Sequence, residues 1–256
     1  MSEIQTIIFS KNRACQLELL LRGLNISSTV IYKADHGFEN GYNKIVQMYP
    51  KVNFVREKVF KEQLIECIDE SIKYTLFLVD DDVSLGNFDE NCKEFKEFNE
   101  NKNILCLSLR IGPNHRFGNI PTLDGNKWEW EQYRFNRNYH IRNWGFPMSV
   151  TSHIFRTEDI LPIIEDNEFK TPNFLEGVLN DNCPNRPLMI CLDEPIFINN
   201  MANQVQDDFK CSNFGVSIKD LEKRFLNGSV LSLKDIRNKA IGSRRCRLMT
   251  DYKWEK

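Results

Sequence analysis

The chain has 256 residues, with 34 lysines and arginines against 36 aspartates and glutamates and a formal net charge of −2. That length suffices for a real core in one large or two small domains, and the near balance of charge gives no global field for nucleic acid or an anionic membrane. No apolar segment approaches the roughly 20 residues that span a bilayer, and Met1-Ser2-Glu3 opens without an export signal, so a soluble, cytoplasmic setting is expected. The eight cysteines are dispersed without CxxC spacing; reduced, largely structural thiols are expected, and no zinc site.

The first half alternates short apolar runs with helix-like segments. Residues 6–10 read as a strand and 15–24 as a helix. A second strand is predicted over 29–34 and a helix over 42–49, closed by Pro50. A third strand follows over 52–55, then a helix over 62–73 with Leu64, Ile65, Ile68 and Ile72 on one face. The fourth strand is the apolar run from Tyr74 to Val79. A helix over 92–100 and a fifth strand over 104–109 complete this half. Strands separated by helices imply right-handed crossovers and a mainly parallel sheet, with ligands at the carboxyl ends of its strands.

From 112 to 145 the pattern gives way to a long polar and aromatic segment holding Trp128, Trp130, Tyr133, Tyr139 and Trp144, a length that is usually functional. Strand character returns over 146–155. A short helix is predicted over 173–179, a strand over 188–192, helices over 218–226 and 233–240, and a basic cluster at Arg244, Arg245 and Arg247.

The fourth strand ends in Asp80-Asp81-Asp82. Three adjacent anions repel one another, and a fold that gathers them needs a compensating charge, most simply a divalent cation; Mg²⁺ and Mn²⁺ prefer such oxygen ligands. A solvated, capped turn running into Gly86-Asn87-Phe88-Asp89-Glu90 is the plain alternative. A receiver domain would place the acids near the chain start, with a phosphoacceptor aspartate closing a later apolar strand, and Asp124 closes none. A haloacid-dehalogenase-like site would follow its acids with Gly-Thr, and Val83-Ser84 does not supply it.

The Asp-X-Asp spacing at a central strand end resembles the DXD motif of GT-A glycosyltransferases. The likeness extends over roughly residues 5–200, through the loop Ser10-Lys11-Asn12-Arg13 after the first strand and an acid, Asp35, after the second. The resemblance implies an α/β, GT-A-like (Rossmann-like) catalytic domain over 1–215, with a donor-binding half over 1–111, an acceptor-binding half over 112–215, and a C-terminal helical extension over 216–256. It implies transfer of a sugar from a nucleotide diphosphosugar, on family frequency a UDP-sugar, to a glycan or other hydroxyl acceptor. Phe9, Ser10, Lys11, Asn12, Arg13 and Asp35 inherit nucleotide contacts, with Lys61 and Gln63 as weaker ones. Asp80 and Asp81 inherit ribose or sugar contacts, and Asp80 and Asp82 the Mn²⁺ or Mg²⁺, Asp82 as the surest ligand. Independently, Lys11 and Arg13 precede a helix N-terminus, where cations and N–H groups meet phosphate.

The sequence departs from that family in having no histidine beyond His153. Asn199, Asn200, Gln204 or water would then complete a metal shell. Glu176 stands where the family often places the carboxylate base of an inverting transferase, with Asp181, Asp193 and Glu194 as fallbacks. Trp128, Trp130 and Trp144 are assigned to the acceptor because aromatic faces pack on sugar C–H faces, with His115, His140 and Arg142 nearby. A sugar nucleotidyltransferase would need a glycine-rich loop after the first strand, and residues 9–13 contain no glycine. A non-catalytic nucleotide-sugar-binding domain is the alternative of another class.

Overall fold

The computed structural model describes residues 3–114, 121–134, 143–243 and 247–255. His115, His140, Arg142, Tyr139, Arg244 and Arg245 lie outside the described residues. In chain order the elements are β1 Ile4–Lys11, α1 Ala14–Gly23, β2 Thr29–Lys33, α2 Glu39–Met48, β3 Asn53–Arg56, α3 Phe60–Cys67, β4 Tyr74–Val79, β5 Asp82–Ser84, α4 Lys93–Glu100, β6 Ile104–Ser108 and β7 Lys127–Glu129. There follow β8 His153–Arg156, α5 Thr157–Asp166, α6 Pro172–Asp181, β9 Leu188–Cys191, β10 Phe197–Asn200, α7 Ile218–Leu226, β11 Val230–Leu231, α8 Leu233–Ser243, β12 Arg247–Leu248 and β13 Trp254–Glu255.

Among the described residues the main sheet has eight strands in the order β3-β2-β1-β4-β8-β6-β9-β7. β1, β2, β3 and β4 are mutually parallel, as are β6 and β9. β8 runs antiparallel between β4 and β6, and β7 runs antiparallel at the edge. The sheet is therefore mainly parallel, as the alternation of strands and helices implies. The period of two along β1 sends Ile8 into one buried cluster with α1 and α2, and Ile7 and Phe9 into a second with α3 and α5.

Two boundaries differ from the periodicity reading by more than a turn of helix or a few residues of strand. α3 ends at Cys67, because Asp69 Oδ1 accepts bonds from the Ser71 N–H (2.9 Å) and hydroxyl (2.6 Å). Such a side-chain turn competes with continued helix. The strand expected over 146–155 begins only at His153, after Ser152 takes a left-handed φ of 57°.

The C-terminal stretch holds both expected helices and, beyond them, short strands. β12 joins β10 and β5 in a small second sheet, and β11 pairs with β13. Phe225, Leu231, Ile236, Ala240, Leu248 and Tyr252 enter the same buried cluster as Ile8 and Leu17. Glu222 of α7 accepts a 2.8 Å bond from the Gly41 N–H of α2. Gly41 is required there, since a Cβ would sit 2.4 Å from the Glu222 carboxylate and 2.7 Å from the Ala14 Cβ.

Candidate active site

β1, β2 and β4 end at one edge of the sheet, and the loops that follow them are tied together. Asn12 adopts φ 56°, a conformation asparagine tolerates, and its amide pairs reciprocally with Asp35. The Asn12 Nδ2 donates to Asp35 Oδ2 at 2.7 Å, and the Asp35 N–H donates to Asn12 Oδ1 at 2.8 Å. Asp35 is exposed. The loop expected to hold a nucleotide thus ties a buried Asn12 to an exposed Asp35, with Lys11 alongside, 3.9 Å from Asp207.

The acidic run does not continue β4. The chain turns at Asp80-Asp81, and Asp82 opens β5, which pairs antiparallel with β10. Each acid consequently meets a different environment. Asp80 is buried; its Oδ2 accepts from the Ser10 hydroxyl (2.9 Å) and the Lys11 N–H (3.0 Å), and its Oδ1 from Arg13 Nη1 (2.8 Å). Asp82 is wholly buried, with Oδ2 accepting from the Val79 N–H (3.1 Å) and Oδ1 from Asn199 Nδ2 (3.3 Å). Burial first, then the charge of Asp81, pushes the Asp82 carboxyl up to about 7. Asp81 alone of the three keeps solvent access; its Oδ2 takes Arg13 Nη1 at 3.0 Å and its Oδ1 takes Asn199 Nδ2 at 2.6 Å.

Arg13 is the counter-charge of this turn. Its Nε donates to Asn203 Oδ1 (2.8 Å) and its Nη2 to the Asn203 carbonyl (2.6 Å), while Nη1 bridges Asp80 and Asp81. Burial alone would lower the guanidinium pKa, but the two carboxylates outweigh it and hold Arg13 above its ordinary value. Tyr42 completes the frame, its hydroxyl 2.6 Å from the Ser10 hydroxyl and accepting the Arg13 N–H at 3.2 Å.

These positions revise several sequence assignments. Phe9 makes no surface for a nucleotide: it is buried between Phe60 and Phe77, with ring centroids 5.2 and 5.5 Å away. Ser10 and Arg13 hold the acidic turn and leave nothing for phosphate. Lys61 is committed to the Glu165 carbonyl (3.0 Å) and to Glu168 (2.9 Å), and Gln63 Oε1 caps the start of α3 through the N–H groups of Lys58 and Val59. Asn200 is engaged with Thr250, and Gln204 with the carbonyls of Gln206 and Phe209.

A divalent cation was expected on Asp80 and Asp82. The first is enclosed and satisfied by three donors, and the second is sealed from solvent, so neither presents an oxygen to an incoming ion. Among the described residues no group of three histidine, cysteine or acidic side chains converges as a metal site. The donor set fits a cation only through Asp81, with a ligand's own oxygens and water supplying the rest, a manner of binding common for Mg²⁺.

Glu176 lies on α6, whose sequence starts with Pro172 at a position where a missing N–H costs nothing. Its Oε1 accepts from the Ser149 hydroxyl (2.8 Å) and the Val150 N–H (3.0 Å). Residues 149 and 150 precede β8, whose first residue pairs with Phe77 near the carboxyl end of β4. The proposed base and the acidic turn therefore share one edge of the sheet. Of the fallback acids, Asp193 is paired with Lys93 (2.8 Å) and Glu194 with Asn114 (2.5 Å).

The three tryptophans are packing residues. Trp128, Trp130 and Trp144 are only 3%, 4% and 2% exposed and belong to the second buried cluster. Trp128 Nε1 donates to the Trp144 carbonyl (2.7 Å), Trp130 Nε1 to the Arg186 carbonyl (2.8 Å), and the Trp128 and Trp144 rings meet edge to face. Burial this complete leaves no ring face for a sugar, so the acceptor role assigned to them is withdrawn.

Tyr42 and Asn203 are positioning residues the sequence reading missed, and Asn199, expected only as a candidate metal ligand, is a donor to Asp81 and Asp82. Asn203 lies 190 residues from Arg13, and nothing local marks it. Arg110 and Arg247 were also missed as neighbours of the acids. The signal for Arg110 is a charged residue closing an apolar strand.

The strand order, the two antiparallel insertions and the acidic turn at the carboxyl edge define a GT-A-like α/β fold. No family model matches the chain. In sequence, 90% of the chain is 25% identical, over 281 residues, to the bifunctional glycosyltransferase pgtA of Dictyostelium discoideum, and the match covers 36% of that protein. The chain thus spans about a third of the relative's length. S. aureus TarS 1–349 in complex with UDP superposes on 77% of the chain and 59% of its own, with TM-score 0.47 and 14% identity. A cytidylyltransferase from Leptospira borgpetersenii covers 70% of the chain and 70% of its own, with TM-score 0.40 and 12% identity.

Proposed function

We propose that this chain transfers a sugar from a nucleotide diphosphosugar, a UDP-sugar in the first instance, to a hydroxyl acceptor. The observation that carries the reading is the convergence of the Asn12–Asp35 pair, the solvent-facing Asp81 and the Glu176 carboxylate at the carboxyl edge of a mainly parallel sheet. The 25% likeness to a protein described as a bifunctional glycosyltransferase, spread over 90% of the chain, supports it.

In this reading Asp35, tied to Asn12, accepts an N–H of the base, and the rigid Arg13 clamp holds the Asp80-Asp81 turn against the donor. Mg²⁺ or Mn²⁺ would be held at Asp81 and would offset charge on the leaving diphosphate. Glu176 takes the proton of the acceptor hydroxyl on its carboxylate, already oriented by Ser149 and Val150.

The test is a panel of UDP-, GDP-, CMP- and dTDP-sugars, with binding followed by calorimetry and donor hydrolysis by product release. Glu176→Gln should keep donor affinity and lower transfer about 100-fold. Asp81→Asn should weaken donor binding about tenfold or more, the scale of a lost charge-assisted contact. Binding of a nucleotide sugar without turnover by the parent chain would leave a binding domain instead of an enzyme, and parental transfer by Glu176→Gln would remove that residue as the base.

A further inference from the structure

Arg13 is held at two ends. Its Nη1 bridges Asp80 and Asp81, while its Nε and Nη2 donate to the side-chain oxygen and the carbonyl of Asn203. A guanidinium donates and never accepts, so the Asn203 amide has one allowed orientation, with Oδ1 toward Arg13 and Nδ2 away from it. That Nδ2 donates to Gln16 Oε1 at 3.2 Å, which fixes the Gln16 amide in turn and leaves its Nε2 on the far side. Gln16 Nε2 donates to the Tyr252 hydroxyl oxygen at 3.3 Å. All three residues are buried. The donors therefore run one way, from Arg13 through two amides to a phenol oxygen near the end of the chain.

Tyr252 is brought there by the last strands. β12 pairs with β10, the Met201 N–H donates to the Leu248 carbonyl (2.9 Å), and Asn200 and Thr250 exchange two bonds of 3.2 Å. On the other side of Tyr252 the Lys253 carbonyl accepts from the Ser232 N–H (2.8 Å), and β13 pairs with β11. The ring is thus fixed from both chain neighbours. Burial, followed by the charge of Asp81, raises the pKa of its hydroxyl, so it stays a neutral phenol at ordinary pH. Without that oxygen Gln16 Nε2 is a buried donor lacking an acceptor. Turning the Gln16 amide sets Nε2 against Asn203 Nδ2, and turning Asn203 sets Nδ2 against Arg13 Nε. Donor meets donor at each step, and the defect ends at the guanidinium that aims Asp81.

We infer that Tyr252 is a positioning residue of the candidate active site, which through Gln16 and Asn203 fixes the guanidinium that orients Asp81 toward a ligand. The end of the chain thereby contributes to a site whose other parts follow β1 and β4. The identity of the ligand as a nucleotide rests on the proposed transferase function; the hydrogen-bonded chain does not. The competing explanation makes Tyr252 only a packing residue of the cluster that holds Ile8 and Leu17, without influence on Arg13.

The experiment follows the Arg13 Nε–H proton of the full chain by NMR hydrogen exchange. Its resonance is assigned by its loss in Arg13→Lys, and the buried Ile8 amide of β1 serves as the reference for global opening. Tyr252→Phe, which removes one oxygen and keeps the ring, should speed exchange at Arg13 about tenfold relative to Ile8, the scale of one lost hydrogen bond. Gln16→Leu breaks the same chain from α1 and should do likewise, which covers the case in which Tyr252→Phe fails to fold. The double variant should exchange no faster than either single one, since the two residues act through one path. Calorimetry with UDP and Mg²⁺ reads the consequence at the site, where both single variants should bind about three- to tenfold more weakly than the parent. Acceleration that is equal at Arg13 and Ile8, or absent at Arg13, overturns the inference and leaves a packing residue. Additive acceleration in the double variant overturns the route through Gln16. Parental UDP affinity in a variant whose Arg13 proton exchanges faster overturns the role at the binding site. A parent chain that binds no UDP removes the nucleotide reading, and selective acceleration at Arg13 then still supports the hold of Tyr252 on the acidic turn.

Discussion

Arg13→Met is the most demanding test of the candidate site's architecture. The substitution keeps an apolar stem of similar length and removes the guanidinium that bridges Asp80 at 2.8 Å and Asp81 at 3.0 Å. The side chains of Arg13 and Asp80 are 7% and 4% exposed, so water cannot replace the lost partner at Asp80. Removing one member of a buried pair costs about 3–5 kcal/mol, because the remaining charge is left uncompensated. For a chain of this size each kcal/mol lowers the melting temperature by about 2–4 °C, so the fall should be roughly 6–20 °C. Asn203, which accepts from both Nε and Nη2, loses its partners as well. The discriminating assay is a double-mutant cycle by thermal and urea unfolding. Adding Asp80→Asn to Arg13→Met removes the orphaned charge while leaving an oxygen to accept from Ser10 and the Lys11 N–H. The double variant should then recover about 1–3 kcal/mol relative to the sum of the single losses. Strict additivity, or a single variant that melts within about 2 °C of the parent, would refute the claim that Arg13 supplies the counter-charge of the acidic turn.

Two further outcomes follow from burial. Trp144→Ala should cost about 3–5 kcal/mol, the usual scale for a buried aromatic, and acceptor KM measured well below the melting temperature should stay at the parental value; a selective acceptor defect in a stable variant would return the tryptophan to the substrate site. His153 is buried against Arg110, and burial first, with that positive charge second, pulls its pKa down to about 3. An unfolded histidine titrates near 6.5, so its contribution is complete above that pH and is lost as pH falls from 6.5 toward 3, at about 1.4 kcal/mol per unit. Asp82, raised to about 7, works in the opposite sense over part of the same range, gaining stability as pH falls through 7. The measurement is therefore the difference between the parent and His153→Phe. The parent's advantage should shrink by about 2.3 kcal/mol between pH 6.5 and 4.5, and a pH-independent difference would show that His153 titrates normally.

What the sequence makes legible here is local. Periodicity placed β1 to β4, β6 and β9 and most of the helices, and the end of the apolar run at Val79 placed three acids at the carboxyl edge of the sheet. Which acid faces a ligand depends on pairing at a distance. An Asp-X-Asp reading assumes that alternation continues past Val79, so that Asp80 and Asp82 share a face. The chain instead turns at Asp80-Asp81, because Asp82 enters a second sheet with Asn199, 117 residues away, and Arg13 is drawn to Asn203 at a still greater separation. The tryptophans failed for a related reason. Composition shows that a segment is aromatic and polar, whereas only the tertiary packing of β7 on β9, and of Trp128 on Trp144, decides whether a ring faces solvent or core. β10 and β12 complete the small sheet and bring Asn199 and Arg247 up to the acids. The carboxylate left accessible is thus selected by residues beyond 196, which hold Asp82 down and turn Asp81 out, and the acidic run supplies only the three candidates.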